Sequence, residues 1–91
     1  MPGLHVEVHG RVQGVGFRWF VREEARRLGL SGWVMNIQHG AVEVAASGEA
    51  ASLARLRQAL EVGPNGAEVS SVLDVTLDIN SSLPYPFAIH R

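Results

Sequence analysis

Apolar and polar residues alternate from His5 to Val12: Val6, Val8 and Val12 share one parity, while His5, Glu7, His9 and Arg11 share the other. A period of two predicts a half-buried β-strand with its polar positions facing solvent. The spacing then lengthens. Phe17, Phe20, Val21 and Leu28 recur at helical intervals, Glu23 and Arg27 stand four apart, and Gly29 occupies the place of a C-terminal cap, so a helix beginning near Phe17 or Arg18 is predicted. Two β-prone runs, Trp33 to Gln38 and Ala41 to Ser47, are split by His39 and Gly40 and predict a hairpin. In the first run Trp33, Met35 and Ile37 share one face, which leaves Asn36 on the other. Leu53, Leu56 and Leu60 mark a second amphipathic helix closed by Gly63 and Pro64. Beyond it, Val69, Leu73, Val75, Leu77 and Ile79 predict one face of a long strand, with Asp74, Thr76 and Asp78 opposite. Tyr85 to Arg91 predict a short fifth strand, placed at an edge by Pro84 and Pro86.

The order strand, helix, strand, strand, helix, strand, strand predicts an α+β fold of the ferredoxin-like type: a split βαβ sandwich with a mostly antiparallel sheet and both helices on one face. Ninety-one residues suit a single domain over 1–91, and no linker or repeat interrupts it. Apolar residues make up 46% and charged residues 19%, with no long apolar run or leader pattern, so a cytoplasmic protein without membrane contact is expected. The absence of cysteine excludes disulfides, thiolate metal sites and a cysteine nucleophile. The absence of lysine excludes Schiff-base chemistry. A formal net charge of −1 argues against an extended nucleic-acid surface while leaving room for one localised anion site.

Such a site is suggested between the first strand and the first helix, where the chain reads GRVQGVGFR from Gly10 to Arg18. Gly14 and Gly16 open backbone conformations closed to other residues, so successive amides of the loop from Gln13 to Arg18 can converge on one anion. The helix start offers unpaired N–H groups and a positive dipole end to the same charge. Arg18 adds a planar cationic fork matched to phosphate or carboxylate oxygens. Glycines that serve only a tight turn are the structural alternative, and on these residues alone it stays open. Nucleotide motifs fit poorly: no Gly-Lys-Ser/Thr follows, and the dinucleotide pattern needs a glycine where Arg18 or Trp19 stands.

The other chemistry-bearing residues have plainer readings. His5 and His9 show the spacing of helical zinc ligands, but on a strand they are roughly 13 Å apart, too far to share an ion, and are read as solvent-facing. His39 reads as a turn residue and His90 has no identifiable partner. No metal or cofactor is expected. Phe17, Phe20 and Trp33 read as core aromatics, while Trp19 breaks the apolar period of its helix and reads as surface or site-lining. Glu23 and Glu24 diverge on a solvated face, and the serines lie in no nucleophile motif. What survives is Arg18, the loop from Gln13 to Arg18, and Asn36, an amide inside an apolar run that either satisfies a turn or orients a water. Cationic and amide donors without an acid suit a leaving group that departs unaided. The carboxylate of an acyl phosphate qualifies, because its conjugate acid has a pKa of about 4.

GRVQGVGFR at 10–18 and GWVMN at 32–36, followed by HGAVEVAASG at 39–48 and GPNGAEV at 63–69, resemble the acylphosphatase family over nearly the whole chain. The resemblance implies that Arg18 and the amides of Gln13, Gly14, Val15, Gly16, Phe17 and Arg18 hold a phosphoryl group. It implies that Asn36 orients the attacking water, and that a small-molecule acyl phosphate is hydrolysed without metal. Inorganic phosphate is then product and competitive inhibitor, and a monomer is expected. Two positions depart from the family pattern: Met35 replaces the usual arginine before the asparagine, and His39 the usual aspartate before glycine. The alternative is a noncatalytic anion-binding or regulatory module on the same fold, for example one that recognises carbamoyl phosphate. A last expectation is that the terminal carboxylate of Arg91 holds the Arg18 fork, the alternative being a mobile terminus.

Overall fold

In the computed structural model, which describes residues 3–75 and 83–90, the chain forms β1 (Gly3–Arg11), α1 (Phe17–Arg27), β2 (Ser31–Asn36), β3 (Val42–Ser47), α2 (Ala50–Val62), β4 (Glu68–Asp74) and β5 (Ala88–Ile89). A 3-10 turn at Gln38–Gly40 separates β2 from β3. Each helix forms where apolar residues repeat at helical spacing and stops at a glycine: Gly29 follows the last turn of α1 at φ 72°, and Gly63 closes α2 at φ 74°. Phe17, Val21 and Ala25 of α1 and Leu53, Leu56 and Leu60 of α2 are buried in one cluster with Val6, Val8, Val34, Val42 and Val44 of the sheet. No described helix is long and apolar enough to cross a membrane.

The five strands lie in the order β4-β1-β3-β2-β5, with β2 and β5 parallel and every other pairing antiparallel. β1 and β2 flank β3 and run in the same direction, so both deliver their C-terminal ends to one end of the sheet. The edge strand β5 is short, as its flanking prolines predict, and pairs with β2 through Trp33–Ala88 and Val34–Ile89. Phe87, fully buried, plugs this segment into the core, and Arg26 donates from Nε to the Phe87 carbonyl at 2.8 Å.

Several details differ from the sequence reading. The pairing of β1 with β4 slips between His9 and Gly10, leaving Ser70 as an extra residue between Val69 and Ser71. Val69 and Val72 therefore both pack on the core, while Leu73 turns to the opposite face and is half exposed, so Val69 and Leu73 do not share a face. The same shift sends Asp74 to the helix side, where it accepts a 2.8 Å bond from Arg57 of α2. Thr76, Leu77, Asp78 and Ile79, expected to extend this strand, lie outside the described residues. In α1, Arg27 pairs with Glu24 rather than with Glu23, which pairs with its neighbour Arg22.

His5 is not solvent-facing: it is 8% exposed. Ala45 lies directly opposite both His5 and Trp33 across the two pairings of β3, and its small side chain lets the indole lean over it. Trp33 meets the His5 ring edge-on at 5.8 Å, and His5 Nε2 lies 2.5 Å from Glu43 Oε2. Trp33 thus belongs to the face away from the helices and not to the core. His90 does have a partner, stacking on that indole with centroids 5.7 Å apart.

Candidate functional site

The loop after β1 has the backbone its glycines predict. Gly14 and Gly16 both take φ 75°, in the left-handed region where a side chain is strained. A Cβ at either position would meet nothing within 4 Å, so the glycines serve backbone shape and leave the approach open. Gly16 also starts α1. Its carbonyl accepts the first helical bond from the Phe20 amide at 3.0 Å, and no side chain caps the end. The amides of Phe17, Arg18 and Trp19 precede that first bond and are left without helical partners, with no acidic residue in the first turn to compete for them. Phe17 is 2% exposed and anchors this turn in the core, while its neighbour Arg18 is half-buried at the helix start. Among the described residues, no carboxylate pairs with Arg18. Arg91 lies outside the described residues.

Asn36 closes β2 at the same end of the sheet. It stands opposite Val42, as Val8 does from the other side, so Val8 of β1 and Asn36 are level across β3. Directly opposed residues in an antiparallel pair share a face. Asn36 therefore belongs to the helix-bearing face with Val8, Val34 and Val42, on the side from which α1 begins. The parity reading that separated it from Trp33 and Met35 holds.

Gln13 ties these two pieces together. Its side-chain nitrogen donates to the Ile37 carbonyl at 3.0 Å and to the Ala41 carbonyl at 2.8 Å, the residues on either side of the Gln38–Gly40 turn. The Ile37 amide also donates to the Ala41 carbonyl at 2.9 Å. Sequence reasoning gave Gln13 only a loop amide, since nothing in the sequence ties it to carbonyls 24 and 28 positions ahead. His39 is the turn residue expected, and it holds a left-handed φ of 65°. Val15 packs partly against the core and faces the turn before β4, where a Cβ on Gly66 would come within 4.0 Å of it. Trp19 is a surface residue, 58% exposed, with the Arg22 guanidinium over its ring at 4.6 Å. Among the described residues, no three His, Cys, Asp or Glu side chains group as metal ligands would.

A ferredoxin-like sandwich whose first strand runs through a glycine loop into a helix start defines a class of small α+β domain. Comparison with known proteins narrows it. The Acylphosphatase family profile matches residues 4–85, and the chain belongs to the acylphosphatase family. It is 54% identical over 69 residues to an acylphosphatase of Pseudomonas paraeruginosa, covering 76% of each chain. The crystal structure of the acylphosphatase from Bacillus subtilis superposes with a TM-score of 0.83 at 35% identity, each chain covered in full. Full-length HypF, solved in a phosphate- and nucleotide-bound form, shares the fold at 23% identity and TM-score 0.84, this chain spanning 12% of its length.

Proposed function

We propose that this chain hydrolyses acyl phosphates to a carboxylate and inorganic phosphate, by direct attack of a water that Asn36 orients on a phosphoryl group held by Arg18 and the amides of residues 13–18. The observation that carries the reading is the meeting at one sheet end of two left-handed glycines, an uncapped helix start with Arg18 in its first turn, and Asn36, whose neighbour Ile37 is bonded to the Gln13 side chain at the head of the loop. The water oxygen forms the new bond to phosphorus as the bond to the acyl oxygen breaks. The carboxylate leaves with the electron pair and needs no proton, its conjugate acid having a pKa of about 4. The water's proton ends on the phosphate. Through a loose transition state such a transfer needs positioning and charge stabilisation, which the amides and the guanidinium supply.

The loop, Arg18 and Asn36 come from one chain, so the reading requires no second copy, and it assigns the charge stabilisation to the guanidinium and amides with no step given to a metal. Turnover of benzoyl phosphate by purified protein after exhaustive chelation is the test. Activity that vanishes on chelation and returns with a divalent cation overturns the metal-free mechanism. Binding of phosphate or carbamoyl phosphate without any turnover makes the chain a recognition module instead. Simple alkyl phosphates should react far more slowly, because their alkoxide needs an acid to leave.

A further inference from the structure

The Gln38–Gly40 turn is held under tension and from outside. His39 occupies a left-handed conformation that is strained for a non-glycine residue, and such residues persist where their surroundings over-determine them. Much of that determination comes from Gln13. One amide nitrogen has two hydrogens, and here each goes to a carbonyl on one flank of the turn. The Ala41 carbonyl, which also takes the Ile37 amide, then has both lone pairs used. Asn36 precedes Ile37, whose carbonyl Gln13 holds, and the residue just after Gln13 is the first glycine of the loop.

Building on the proposed hydrolysis, we infer that the Gln13 side chain is a positioning residue that sets the distance between the phosphate loop and Asn36, and so aligns the attacking water with the bound phosphoryl group. It touches neither substrate nor water. Its bonds join the segment that follows β1 to the turn that follows β2. Loss of the bridge leaves the amides of residues 14–18 and Arg18 able to hold the anion, while Asn36 drifts with its turn. A displacement on the order of 1 Å at a reacting centre is enough to lower a rate about a hundredfold.

The test is a cycle of four proteins: the unsubstituted chain, Gln13→Met, Asn36→Ala and the double substitution, each assayed for kcat on benzoyl phosphate and for inhibition by phosphate. Methionine keeps the length and volume but cannot donate; Gln13→Glu, which turns a carboxylate toward two carbonyl oxygens, serves as a second variant should the first fold poorly. The expected result is a kcat lowered about ten- to hundredfold in Gln13→Met with phosphate inhibition changed less than about threefold. In the Asn36→Ala background the same substitution should lower kcat no further, because the group it positions is gone. Multiplicative losses, an unchanged kcat or a matching loss of phosphate affinity would each overturn the positioning role. An unsubstituted chain without turnover instead overturns the hydrolytic reading on which the role rests.

Discussion

At the residue level, Arg18 and Asn36 are expected to fail in different ways. Arg18→Ala should weaken phosphate inhibition and nearly abolish turnover, and Arg18→Lys should recover little, since a point charge does not reproduce a two-pronged fork. Phosphate inhibition unchanged in Arg18→Ala would place the anion elsewhere. Asn36→Ala should lower kcat while phosphate inhibition persists, because its partner is the nucleophile and not the anion. Were Asn36 only satisfying the turn, its loss would cost about 1–3 kcal/mol of stability without a selective loss of rate. Urea unfolding and kinetics on the same variant separate the two. Both stand out in the sequence as candidates because each has a local mark, an arginine after Gly-x-Gly and an amide in an apolar run. Gln13 was not, because its side chain acts on carbonyls that only the folded sheet brings near.

At the level of elements, the strand β5 is two residues long and is held less by its ladder than by what flanks it. Phe87 is fully buried beside it, Arg26 grips the Phe87 carbonyl, and His90 lies on Trp33. Phe87→Ala is expected to cost about 3–5 kcal/mol in urea unfolding, the range for emptying an aromatic site in a close-packed interior. A loss below about 1 kcal/mol would mean that the edge folds independently of the core. Element type and order were readable from periodicity alone. Faces were less so: the parity rule assumes an unbroken ladder, and the extra Ser70 in β4 sends Leu73 to the side opposite Val69. The misreading of His5 has a different origin. Its burial depends on Ala45 and Trp33 in other strands, and a polar residue on an alternating strand carries no sign of what will cover it.

For the molecule as a whole, the sheet and the site are related asymmetrically. The core is continuous from α1 and α2 through every long strand, and the site hangs at one rim of it, made of glycines and a turn that contribute little buried apolar surface. Regions with that character open at lower free energy than the core does. Amide exchange should therefore be faster over residues 13–16 and 38–40 than over β1 and β3, and saturating phosphate should slow it selectively at the loop. Uniform protection across chain and loop would show that the rim opens only when the whole molecule does.

The central place of β1 also governs how long the native state lasts. Val6 faces Val44 on one side and Asp74 on the other, so the strand is secured only after long stretches of chain have closed upon it. The rim proposed to bind the anion includes the Gln13 bonds to Ile37 and Ala41, which need β1, β2 and β3 in place, so it is expected to form on the native side of the folding barrier. A ligand of such a late-forming region acts on the escape rate and not on the approach. In stopped-flow experiments phosphate should leave the refolding rate within about twofold while slowing unfolding in proportion to its occupancy. Faster refolding in phosphate would mean that the loop is already formed at the barrier. Under the proposed binding the site acts as a latch on an assembled sheet, and the lifetime of the folded protein is expected to rise and fall with the phosphate around it.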